Sequence, residues 1–226
     1  MKVAVCFSGL PRFLLECIPY WRKCLLDTYD CDVFVHTWSQ SVSQDALTRQ
    51  LIHHKYAPIR FKMESAPQFD VSSYTHRVWP HRVTPQAQFS QFEGIKRAQL
   101  LRQTQEQAQG YKYDVVIRAR FDWYLAQVKL DINPCVNVAH TPTLNGHIFT
   151  YDHTQLLGIS DQFAYGTSEV MDVYAHVVDN MPHLYHAHGV DFCGELFLRA
   201  HLHEHNMCIK QHVLNHGIVR SWGLMP

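Results

Sequence analysis

Two arginines and an aspartate at the end of one apolar run are the residues best placed to do chemistry. In Tyr113-Asp114-Val115-Val116-Ile117-Arg118-Ala119-Arg120-Phe121-Asp122 the arginines stand two apart. A β-strand therefore puts both on one face, and Asp122 continues that face past the strand end. Two guanidiniums on a central apolar strand are costly to bury without anionic partners. A diphosphate is one such partner, because planar guanidinium forks match phosphate oxygens. An internal ion-pair network with Asp114, Asp122 or Asp161 would satisfy the same arginines.

Further polar groups follow apolar runs. Ser8-Gly9-Leu10-Pro11-Arg12 comes directly after Val3–Phe7. There Gly9 lets backbone N–H groups approach a phosphate, and Arg12 can fork onto an anion. The spacing is neither G-x-G-x-x-G nor a P-loop, so neither a dinucleotide oxidoreductase nor a P-loop NTPase is supported. His36 and Trp38 end a second run and are candidates to flank a nucleobase; a core tryptophan is the alternative. Ser90, Gln91 and Lys96 open a long helix that can aim N–H groups and an ammonium at an anion, or simply form a solvated face. Asp161 and Glu195 are the candidate catalytic carboxylates. Asp161 opens Asp161-Gln162-Phe163-Ala164-Tyr165-Gly166, and Glu195 falls in the first turn of a helix, where a carboxylate is also favoured electrostatically.

The elements that must position these groups alternate between apolar runs and helical stretches, the pattern of a mostly parallel sheet covered by helices. Val3–Phe7, Asp32–Trp38, Ile59–Met63, Tyr113–Asp122, Gln162–Tyr165 and Met207–Val213 read as strands. Helices are expected after Pro11 (with Pro19 as a kink or a start), in part of 39–60, over Gln88–Gln109 with Gly110 as its cap, from Thr167 or Ser168 through Met181, and from Asp191. Residues 64–87 read as an irregular loop, and Pro134, Pro142 and Asn145-Gly146 suggest a hairpin. Ligands of open parallel sheets bind at the carboxyl ends of the strands, which groups the Gly9 turn, His36–Trp38 and Arg118–Asp122 in one neighbourhood.

Composition narrows the classes. The chain has 226 residues, 46% of them apolar, enough for one α/β domain over residues 1–226. Lys+Arg and Asp+Glu both number 20, so no net field draws in nucleic acid or an anionic membrane. Ser8, Gly9 and Arg12 interrupt the opening apolar run well short of the ~20 residues a membrane span needs. Seven cysteines without a C-x-x-C read as reduced, small buried groups, and a cytoplasmic protein is expected. The 17 histidines contain no H-E-x-x-H and no Cys/His pairing, and most are expected on the surface or at helix ends, His201, His203 and His205 in a last turn.

The phrases S-G-L-P-R, D-V-F-V-H-T-W, S-Q-F-x-G-I, Y-D-V-V-I-R-A-R-F-D and D-Q-F-A-Y-G together resemble small viral and bacterial glycosyltransferases of the GT-A type. The resemblance spans about residues 2–205 and implies a single GT-A-like, Rossmann-type domain. It implies transfer of a sugar from a UDP-, GDP- or dTDP-sugar to the hydroxyl of a glycan acceptor. A sugar nucleotidyltransferase, or a non-catalytic nucleotide-sugar-binding protein of the same fold, is the alternative. The family's Asp-x-Asp metal motif would fall on Arg120-Phe121-Asp122, where the first aspartate is replaced by arginine. Two outcomes are open: Asp122 holds Mn²⁺ or Mg²⁺, helped by His216 or His212, or Arg118 and Arg120 take over as the leaving-group clamp. The nucleotide-sugar contacts implied are Ser8, Gly9, Leu10, Arg12, His36, Trp38, Ser90, Lys96, Arg118, Arg120 and Asp122.

Overall fold

A computed structural model describes residues 1–76, 84–127, 129–133, 146–151, 158–220 and 223–225. Its centre is β1 (Val3–Ser8), an unbroken apolar run whose six residues are all buried, as a strand covered on both faces must be. β2 (Cys31–Trp38) and β4 (Val115–Ala119) flank β1 in parallel, Val3 pairing with Cys31 on one side and Val115 on the other. β3 (Arg60–Glu64) adds a parallel edge. On the other side, β7 (Phe163–Gly166) runs antiparallel to β4 and to β6 (His147–Tyr151), and β8 (Cys208–His212) lies parallel to β6. The seven-stranded order is β3-β2-β1-β4-β7-β6-β8. The chain is thus α/β, with a mostly parallel mixed sheet flanked by helices.

Strand alternation divides the core into two layers. Val3, Val5, Phe7, Ile117 and Ala119 face α1 (Leu14–Trp21) and α2 (Val42–Tyr56). Ala4, Cys6 and Val116 face α3 (Pro85–Gln109), α4 (Ser168–Ala175), α5 (Val177–His186) and α6 (Gly194–Glu204). α3 begins at Thr84, whose hydroxyl accepts from Ala87 N at 3.3 Å, has Pro85 in its first turn, and ends at Gly110. Its apolar period is imperfect because it buries a polar stripe: Gln99, Arg102 and Glu106. Arg102 donates to Glu106 at 2.7 Å and also bonds Ser168 and Asp172, tying α3 to α4.

Three expectations need correction. The Arg-bearing strand ends at Ala119, and after a corner the chain enters β5 (Trp123–Leu125). This short strand pairs antiparallel with β9 (His216–Arg220), which pairs with β10 (Gly223–Met225). The helix from Ser168 breaks at His176, whose Nδ1 lies 2.7 Å from the Asp172 carbonyl and whose ψ of 7° leaves the helical range. The last helix starts at Gly194 rather than at Asp191, because Cys193 N turns back onto Asp191 O at 2.7 Å. The suggested hairpin at 134–146 lies, but for Gly146, outside the described residues; the antiparallel pairing that is described falls on β4-β7-β6 and the small second sheet. Among the described residues, no helix is long and apolar enough to cross a membrane, and six cysteines carry free thiols.

Candidate functional site

The strand order reverses beside β1: the chain builds β2 and β3 outward on one side, then crosses to place β4 on the other. Two loops diverge at such a switch point and leave a crevice beyond the carboxyl ends of the strands. Here a cleft of about 620 Å³ opens, walled by Ser8 at the end of β1 with Gly9, Leu10 and Arg12 after it, Trp38 at the end of β2, Arg118 in β4 with Arg120, Phe121 and Asp122 after it, and Thr84, Ser90 and Gln91 at the start of α3. Gly9 holds φ +121°, a region closed to other residues without strain, and Thr37 Oγ1 donates to its carbonyl at 2.9 Å. β2 thereby fixes the turn that β1 feeds.

Among the described residues, the charged groups lining the cleft are four arginines (12, 118, 120 and 220) and one carboxylate, Asp122. Arg12 is exposed and has no ion-pair partner among the described residues. Arg118 is 1% exposed; its Nη1 donates to the Ser8 carbonyl at 3.4 Å and to that of Ala119. Burial, with Arg120 as a lesser cause, lowers its pKa to about 10 against the opposing pull of Tyr174, Asp161 and Asp122. Among the described residues, its Nε and the Ser8 Oγ are buried without a hydrogen-bond partner. Buried polar atoms are rarely left so, and both of these residues line the cleft. The N-terminus of α3 adds its partial positive charge to the same wall.

Asp122 is spoken for. Arg120 forks onto it through Nε to Oδ1 at 2.8 Å and Nη2 to Oδ2 at 2.7 Å, and Arg220 Nη1 reaches Oδ2 at 3.3 Å. His216 does not join it: its ring lies on Trp123 and Tyr151, with centroids 5.4 and 4.0 Å away. His212 packs on Phe149 at the far edge strand. A divalent cation needs carboxylate oxygens free of guanidinium, so this donor set does not fit a metal, and the Asp122–His216 pairing expected from sequence is not what the fold builds.

The other expected residues divide. Ser90 lines the cleft, and its carbonyl accepts from Trp38 Nε1 at 3.1 Å, while Arg97 covers the indole at 5.1 Å. His36 is fully buried behind the cleft wall, with Nε2 3.1 Å from Glu64 Oε1 and its ring edge-on to Trp38; it props Trp38 and does not reach the cleft. Lys96 points away, onto Asp179 at 2.7 and 2.8 Å, because it lies on the α5-facing side of α3. Asp161 sits directly behind Gln91, whose amide donates to it. Burial first, then the nearby Glu195 carboxylate, raises the Asp161 pKa, against the pull of Arg120 and Arg118. Glu195 is held at the start of α6, where Ile159 N donates to its carbonyl at 3.0 Å and the Cys193 thiol donates to Oε2 at 2.9 Å. Neither carboxylate lines the cleft: Asp161 lies behind Gln91, within electrostatic reach of Glu195, Arg118 and Arg120. Arg220 was not anticipated from sequence: it comes to Asp122 from 98 residues away through the β5–β9 ladder, a pairing no local signal announces.

Compared with known proteins, the chain matches no family model and no curated protein. The functional reading therefore rests on the cleft itself and on the residues that wall it.

Proposed function

We propose that the chain is a GT-A-type glycosyltransferase that moves a sugar from a nucleoside-diphosphate donor to an acceptor hydroxyl. One observation carries this reading: among the described residues, four arginines and a single carboxylate line an open cleft at the switch point of the sheet. A site that gathers cations without matching anions favours a ligand with more than one negative charge, and a pyrophosphate is such a ligand. Arg118, Arg12 and the α3 N-terminus bind the diphosphate, while Arg120 and Arg220, fixed by Asp122, stand ready to share charge developing on the leaving group. Trp38 and Leu10 form the apolar rim for a base. Asp161 and Glu195 serve the acceptor side: a carboxylate whose pKa is raised by burial and by its neighbour is suited to take the acceptor proton. No step in this reading is routed through a metal.

Thermal-shift titration with UDP, GDP and dTDP, each with and without Mn²⁺, tests it. At about 100 times Kd the bound nucleotide contributes about 2.7 kcal/mol, or roughly 5–10 °C for a domain of this size. The shift is expected from one nucleotide and is independent of Mn²⁺. Absence of a shift with all three removes the proposal, and a shift only with Mn²⁺ removes the guanidinium clamp.

A further inference from the structure

A second constellation lies at the far ends of α5 and α6. His183 sits in the last turn of α5. The chain then turns at Gly189, φ +66°, and Val190 N returns to the Leu184 carbonyl at 3.1 Å. That turn folds His188 back over His183, so the two Nε2 atoms stand 3.0 Å apart. Glu204, the final residue of α6, places Oε1 3.4 Å from His188 Nε2. One ligand atom from each residue lies within 4.8 Å of the others, and all three residues are exposed.

Both short separations approach the edge of a metal tetrahedron. With Zn–N bonds of about 2.0–2.1 Å, tetrahedral ligand atoms stand about 3.3–3.4 Å apart. Two imidazoles and a carboxylate are also the ligand types that borderline first-row cations take. The carboxylate is oriented from behind: Asn180 Nδ2 donates to Glu204 Oε2 at 2.6 Å, leaving Oε1 turned toward His188. Such an outer hydrogen bond is what a ligating carboxylate has.

We propose that His183, His188 and Glu204 bind one zinc-class divalent cation, with water at the fourth position. The ion would tie the end of α5 to the end of α6 and so brace the helix that carries Glu195. This site shares no residue with the arginine cleft and stands or falls separately from it.

The test is calorimetric titration of Zn²⁺ into the full chain after chelator treatment, with melting temperature read in parallel. The tightest site is expected to take one equivalent and to raise the melting temperature. His183→Gln and His188→Gln each weaken it by more than about 100-fold, beyond the 10–100-fold typical of losing an outer partner. Glu204→Gln, which keeps the shape and the Asn180 contact, weakens it at least about tenfold, and His203→Gln on the same helix leaves it unchanged. No zinc uptake by the wild type, wild-type affinity in the His183→Gln/His188→Gln double variant, or an equal loss in His203→Gln overturns the site.

Discussion

Arg118 is the residue on which structure and function pull in opposite directions. Its guanidinium is buried and donates to two backbone carbonyls, and its Nε has no hydrogen-bond partner among the described residues, so burial costs more than Tyr174, Asp161 and Asp122 return. Arg118→Met is therefore expected to raise the stability of the ligand-free protein by about 1–2 kcal/mol and to weaken nucleoside diphosphate binding about 10–150-fold, the range for hydrogen bonds to charged groups. Parallel melting curves and binding titrations check both halves. A destabilised variant that binds normally would make Arg118 a structural residue. Arg12→Ala separates electrostatics from packing, since the side chain is exposed: affinity should fall about tenfold with an unchanged melting temperature. That Arg118 and Arg120 would stand together was legible in the sequence from their spacing, although the strand ends at Ala119 and it is the corner after it, not strand alternation, that brings Arg120 to the cleft. The Arg120–Asp122 fork was legible only as an alternative, because spacing cannot say which anion a guanidinium chooses. His36 and Lys96 were misplaced for a similar reason: sequence position gave their element but not the partners, Glu64 and Asp179, that hold them.

At the scale of elements, two glycines test how the site is framed. Gly94 lies inside α3, and a Cβ there would meet Trp38 Nε1 at 3.6 Å, an ordinary contact. Gly94→Ala should therefore stabilise the protein by about 0.5–1 kcal/mol through helix propensity, measured by denaturant unfolding; a loss would mean that Trp38 cannot yield. Gly158 is the opposite case. A Cβ on it would stand 2.5 Å from the backbone carbon of Glu195, so Gly158→Ala should cost at least about 1–3 kcal/mol and displace the start of α6. Normal stability in that variant would show that the loop does not set the position of Glu195. β1, β2, β3 and α3 were readable because continuous apolar runs, the charged–apolar alternation of Arg60–Glu64 and clear caps are local properties. β5, β6, β9 and β10 were not, because short strands owe their existence to distant partners. The break at His176 was hidden by an apolar stripe that continues across it.

For the whole molecule, pH sets an independent check on His36 and His201, the two histidines buried among the described residues. Burial lowers His36 from 6.5 to about 4, more than Glu64 raises it. Burial likewise lowers His201 from 6.5 to about 4. His201 Nε2 lies 2.8 Å from the Val173 carbonyl and Nδ1 lies 3.2 Å from Asn180 Nδ2, an arrangement that suits the neutral ring. It does not supply the helix-end charge expected from its position. The unfolded chain binds protons at both rings below about 6.5 while the fold does not, so stability falls as pH drops from about 6.5 to 4. Each ring contributes up to about 1.4 kcal/mol per pH unit. His201→Gln should flatten that slope by about half; an unchanged slope would mean that the ring is charged in the fold. The overall α/β architecture was legible from alternating runs, and with it the neighbourhood of the cleft. Its charge balance was not, because Arg220 enters only when the second sheet closes. That balance is the heart of the account, and one comparison probes it directly: calorimetric affinities of a nucleoside, its monophosphate and its diphosphate for the same protein. The arginine cleft predicts a rise of at least about tenfold from monophosphate to diphosphate, at 1.5–3 kcal/mol per charged hydrogen bond, and loss of that rise in Arg118→Met. Equal affinities for all three, or a rise that survives in Arg118→Met, would contradict it.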